Sequence, residues 1–61
     1  MNIPSTRTRH DMEIAADLRA QGGTWVTIAR NLKRQPGLLM RWTRVYAPEW
    51  ERLLKEAEER L

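Results

Sequence analysis

Sixty-one residues make at most one domain, and a chain of that size buries only about 60% of the surface its unfolded form exposes. With no cysteine and one histidine, disulfides, thiolate metal sites and histidine-built zinc sites are excluded. The net charge is +3, and no apolar run approaches the roughly 18 residues of a membrane span.

The distribution of charge is more telling than its sum. Residues 1–48 hold eight of the eleven Lys and Arg against Asp11, Glu13 and Asp17, a net +5. Residues 49–61 hold Arg52, Lys55 and Arg60 against five glutamates, a net −2. One reading is a basic part that faces a polyanion, with the acidic tail held away from it; the other is a solvated mixed-charge surface. The opening MNIPSTRTRHDM lacks the apolar core of a secretion signal. The expected setting is therefore cytoplasmic, and nucleoid-associated if the source is bacterial.

Residues 1–9 are polar, contain Pro4 and show no hydrophobic period, so a flexible basic arm carrying Arg7 and Arg9 is expected there. Thr8 followed by Asp11 resembles a capping box that starts a first helix near Arg9. Ile14, Ala15 and Leu18 supply its apolar stripe, and Gly22-Gly23 end it, since glycine accepts the left-handed conformation of a helix C-cap. Thr24 is a favourable N-cap for a second helix, in which Trp25, Ile28, Ala29 and Leu32 recur at i, i+3, i+4 and i+7. Lys33-Arg34-Gln35 form a turn, and Pro36 suits the first position of a third helix, although Gln35 is a poor cap. Leu38, Leu39, Trp42, Val45 and Tyr46 form the buried face of that helix.

Ala47-Pro48 interrupts the pattern, because the residue before proline is pushed out of the α region. A fourth helix is predicted from Pro48 onward, with Trp50, Leu53, Leu54, Ala57 and Leu61 on one side. Glu51–Lys55 and Glu56–Arg60 are spaced as i,i+4 ion pairs along it. Its stripe has two uses: to cover the three preceding helices, or, through Trp50, Leu54, Ala57 and Leu61, to form a homodimer through helix 48–61. The expected architecture is all-α, divided into an arm (1–9), a core (10–46) and a C-terminal amphipathic helix (47–61).

The pattern T-W-x-x-I-A-x-x-L-x-R-x-P-x-x-L-x-R-W, spanning Thr24 to Trp42, resembles the homeodomain-like helix-turn-helix superfamily, especially its short bacterial and phage DNA-binding modules. Thr24, Trp25, Ile28, Ala29, Leu32, Arg34, Pro36, Leu39, Arg41 and Trp42 carry the likeness, which covers roughly residues 12–46. Trp25, Ile28-Ala29, Trp42, Val45 and Pro48 also resemble Myb/SANT repeats, the second choice. The resemblance implies a three-helix homeodomain-like helix-turn-helix bundle, here with a fourth C-terminal helix. It implies binding to double-stranded DNA, with a recognition helix at about 36–46 in the major groove, as in a small transcriptional regulator or a mobile-element DNA-docking domain. The alternative is a SANT-like protein-interaction module without direct DNA binding.

On that implication, Gly37, Met40, Arg41 and Arg44 form the outward stripe of the third helix. Arginine suits paired hydrogen bonds to guanine, methionine suits a thymine methyl, and glycine allows close approach to the groove. Thr24, Lys33 and Arg34, at the second helix start and in the turn, suit contacts to phosphate, and Gln35 in the same turn is a further candidate DNA contact. Arg7 and Arg9 suit the adjacent minor groove, against the plain alternative of a disordered arm. His10 beside Asp11 and Glu13 lacks the convergent partners that catalysis or a metal needs, so no enzyme, cofactor or small-molecule ligand is expected.

Overall fold

A computed structural model describes residues 3–61 and shows an all-α chain of four helices: α1 (Thr6–Ala20), α2 (Trp25–Leu32), α3 (Pro36–Val45) and α4 (Ala47–Glu59). The first helix begins earlier than Thr8–Asp11 suggests. Ser5, in extended conformation after Pro4, is the N-cap: its hydroxyl accepts the Thr8 N–H at 3.2 Å and donates to the Thr8 hydroxyl at 3.0 Å. Capping by Ser5 adds almost a turn to α1. The expected arm at 1–9 is thereby corrected: Arg7 and Arg9 lie on the first turns of a helix, and Met1 and Asn2 lie outside the described residues.

At its other end α1 closes on its glycine pair, as expected. The Gly22 N–H bonds to the Arg19 carbonyl at 3.0 Å and the Gly23 N–H to the Leu18 carbonyl at 2.9 Å, the paired bonds of a Schellman turn. Gly22 sits at φ +92°, and a Cβ on Gly23 would lie 2.8 Å from the Leu18 carbonyl oxygen, so each glycine has its own reason.

The core is drawn from all four helices: Met12, Ala15 and Ala16; Ile28 and Ala29; Leu39 and Trp42; Trp50, Leu53 and Ala57. Four of these ten are alanines, which let helix backbones approach closely, while three large side chains (Met12, Ile28, Leu39) fill the centre. The expected α1 stripe needs correction. Ile14 is 37% exposed, whereas Met12, absent from the expected stripe, is fully buried. Positions two apart on a helix are about 200° apart around it, so Met12 and Ile14 cannot share a face, and α1 turns its Met12 side to the core formed with the other three helices.

The most extensive helix pair is α1 with α4. These two helices run in the same direction: Arg9 meets Glu49 at 3.3 Å near their starts, and Arg60 pairs with Asp17 near their ends. Glu49 also holds Arg52. The expected Glu51–Lys55 and Glu56–Arg60 pairs are not formed among the described residues; Arg60 is taken instead by a carboxylate across the helix interface. The apolar stripe of α4 serves the fold. Trp50, Leu53 and Ala57 are buried, Leu54 is half-buried and Leu61 is left 74% exposed.

Trp50 packs on Trp25, ring centroids 5.6 Å apart and tilted by 44°, which ties α4 to the start of α2. Arg19 lies 4.6 Å above the Trp25 ring and donates to the Gly23 carbonyl at 2.9 Å. Between α3 and α4 only Tyr46 is non-helical; its N–H bonds to Trp42 and its carbonyl accepts from Trp50, so α4 starts one residue before Pro48. Among the described residues no buried side-chain nitrogen or oxygen lacks a partner, and no helix is long and apolar enough to cross a membrane.

Candidate nucleic-acid interface

The α2–turn–α3 unit is built by local chemistry at three points. Thr24 caps α2, its hydroxyl accepting the Thr27 N–H at 3.2 Å and donating to the Thr27 hydroxyl at 3.0 Å. At the far end Lys33 adopts the left-handed conformation, φ 57°, ψ 44°. Its N–H reaches the Arg30 carbonyl at 3.3 Å and the Arg34 N–H reaches the Ala29 carbonyl at 2.9 Å, a second Schellman turn with lysine where glycine is usual. Gln35 is then extended and offers no side-chain cap, and Pro36 opens α3 without needing a hydrogen bond of its own.

Lys33→Gly tests that turn. A non-glycine left-handed residue costs about 1–2 kcal/mol, partly offset by the extra freedom glycine gives the unfolded chain. The variant is expected to gain about 0.5 kcal/mol in urea unfolding. A loss would show that the lysine stem makes a stabilising contact.

On α3, Leu39 and Trp42 point into the core, while Leu38, Val45 and Tyr46 are half-buried. Gly37, Met40, Arg41 and Arg44 are exposed together, Met40 by 52%, and open space surrounds the Gly37 Cα. The outward stripe expected from helical spacing is therefore present. Thr43 does not join it: its hydroxyl donates to the Met40 carbonyl at 2.6 Å. Arg41 also borders an open groove of about 280 Å³ with Leu38, Trp42, Val45, Tyr46 and, from α1, Thr8.

Ion pairing separates the remaining expected contacts into two groups. Arg9 is shared between Glu13 and Glu49, and Arg34 bonds Asp11 at 2.9 Å, tying the turn to α1. Thr24 is engaged in capping. By contrast Arg7, Lys33, Arg41 and Arg44 have no acidic partner among the described residues, nor do Arg30, Lys55 on α4, and Arg19, which stacks on Trp25. Sequence reading misses Arg30. The signal that could have found it is its spacing, i,i+3 with Lys33 and off the Trp25–Ile28–Ala29–Leu32 stripe. The acids left unpaired among the described residues, Glu51, Glu56, Glu58 and Glu59, all lie on α4. Among the described residues no group of three His, Cys, Asp or Glu converges in a way that could hold a metal ion.

No protein-family model matches the chain, and neither a curated protein nor a solved structure is detectably similar to it.

Proposed function

We propose that this chain is a homeodomain-like helix-turn-helix domain that binds double-stranded DNA with α3 in the major groove. The observation that carries the reading is the outer face of α3: two exposed arginines, Arg41 and Arg44, without acidic partners among the described residues, beside a glycine with open space around it. Arg7, Arg30 and Lys33 supply further uncompensated positive charge on α1, α2 and the turn, suited to phosphate, while the free acids stay on α4. A small transcriptional regulator or a DNA-docking domain of a mobile-element protein would use such a face. In this reading Arg7 acts from a helix, and its contact is with backbone rather than with the minor groove.

Titration of a generic duplex at two salt concentrations tests the proposal. Log affinity is expected to fall with log salt by roughly 0.9 for each phosphate neutralised, so a few contacts give a slope on the order of −3 to −5. No duplex binding, or binding indifferent to salt, overturns it.

Gly37→Ala gives a sharper check. Alanine in open space on a helix is expected to stabilise the fold by up to about 1 kcal/mol. The added methyl stands on the face that approaches DNA, so affinity is expected to fall while the melting temperature rises. Unchanged affinity would place the closest approach elsewhere on α3.

A further inference from the structure

Four of the six residues that line the open groove between α1 and α3 carry a side-chain hydrogen-bond donor: Thr8, Arg41, Trp42 and Tyr46. None of the six is an acid. The Ser5 hydroxyl donates to the Thr8 hydroxyl, which leaves the Thr8 proton free to donate elsewhere. The Tyr46 hydroxyl has no hydrogen-bond partner among the described residues.

Trp42 is the most informative of the four. It is only 4% exposed, yet its indole N–H makes no hydrogen bond among the described residues. No buried side-chain nitrogen among those residues lacks a partner, so this N–H reaches the surface. With so little of Trp42 exposed, the groove that it lines is where its N–H meets solvent. A nearly buried indole with its polar edge unpartnered is placed to donate to a group seated there. The first turn of α1 holds no acid, so the helix N-terminus adds its partial positive charge at the Thr8 side.

A guanidinium, three uncharged donors and a positive helix end select an oxyanion. At about 280 Å³ the groove is small for a cofactor, and through Arg41 it adjoins the outward face of α3. We infer that the groove seats one backbone phosphate of a DNA duplex, held by Arg41, Thr8, Trp42 and Tyr46. The inference rests on the DNA reading above and divides the work of α3. Arg41 grips the backbone, while Gly37, Met40 and Arg44, which do not line the groove, face the bases.

Two-dimensional NMR of the full chain reads it out through the indole N–H signals of Trp42 and Trp50. Titration with a generic duplex at low salt is expected to shift the Trp42 signal and leave that of Trp50, in α4, in place. Inorganic phosphate at matched ionic strength is the second arm. It is expected to shift the Trp42 signal only at far higher concentration, because it brings none of the other contacts of a duplex. Thr8→Val and Tyr46→Phe each remove one uncharged donor and keep the shape of the side chain. Each is expected to lower duplex affinity by roughly three- to tenfold, with the salt slope and the melting temperature unchanged. Arg41→Ala is expected to take about one from the salt slope and to weaken all duplex sequences alike.

Salt-dependent duplex binding with an unmoved Trp42 signal overturns this inference and spares the DNA reading. So does duplex affinity that both hydroxyl variants leave intact. No duplex binding at all overturns both. A Trp42 signal that answers to inorganic phosphate and not to duplex makes the groove a free-phosphate site, and the inference fails.

Discussion

Replacing both Arg41 and Arg44 by alanine is expected to lower affinity for duplex DNA by about two orders of magnitude or more. Each guanidinium–base pair contributes about 1–3 kcal/mol of discrimination, and a phosphate contact lowers affinity for all sequences and removes about one from the salt slope. Both side chains are exposed and neither has an ion-pair partner among the described residues, so the fold is expected to be unaffected within about 0.5 kcal/mol.

Arg60→Ala is the matched control. It removes one positive charge, as each single variant does, but from the end of α4 where the side chain pairs with Asp17. Its effect on affinity is expected to be no more than a few-fold, the long-range part that salt screens. Fluorescence-anisotropy titrations of the single and double variants at two salt concentrations decide the matter. If Arg60→Ala weakens binding as much as Arg41→Ala, net charge governs and the α3 face is not the interface. A loss confined to one duplex sequence, with the salt slope unchanged, would assign the arginine to base edges instead of phosphate.

The second large effect is on stability. Met12→Ala is expected to destabilise the chain by about 2–5 kcal/mol, since Met12 is fully buried and its removal leaves a cavity in a small core. Typical stability of about 0.05–0.15 kcal/mol per residue implies roughly 3–9 kcal/mol for a domain of this length, so the variant sits near its unfolding transition at room temperature. Ile14→Ala, only two positions away and on the opposite side of α1, is expected to change stability by less than about 1 kcal/mol. Urea unfolding followed by tryptophan fluorescence separates the two. Equal costs would mean that α1 is rotated about its axis, with Ile14 turned toward the core.

This pair of residues also marks where sequence reading succeeds and where it stops. Helices α2 and α3 are legible because their apolar residues sit on one face. Periodicity alone puts Ile28, Ala29, Leu39 and Trp42 inside and Met40, Arg41 and Arg44 outside, and the fold agrees. In α1, Met12, Ile14, Ala15, Ala16 and Leu18 spread around much of the circumference. Periodicity then cannot choose a face, and the choice is made by tertiary packing, in which α4 is the most extensive neighbour of α1.

The same locality limit applies to charge. Thr8 and Asp11 have the spacing of a capping box, but Asp11 answers to Arg34, 23 positions away, and Ser5 takes the cap. Arg60 has the spacing to pair with Glu56 and instead reaches Asp17 across 43 positions. Spacing identifies which arginines are on the surface. Which of them keep an unbalanced charge depends on tertiary partners, and that is what divides Arg41 and Arg44 from Arg9 and Arg34.

The parallel pairing of α1 with α4 also governs how the molecule forms. The α2–turn–α3 unit is joined by a short turn and needs little loop closure, yet it holds only Ile28, Ala29, Leu39 and Trp42 of the core. The other six core residues arrive only when the first and last helices meet, after the chain has closed the long loop between them. The α2–turn–α3 half is thus expected to have little order of its own until that distant pair has formed, and the assembly of α1 on α4 sets the pace for the whole.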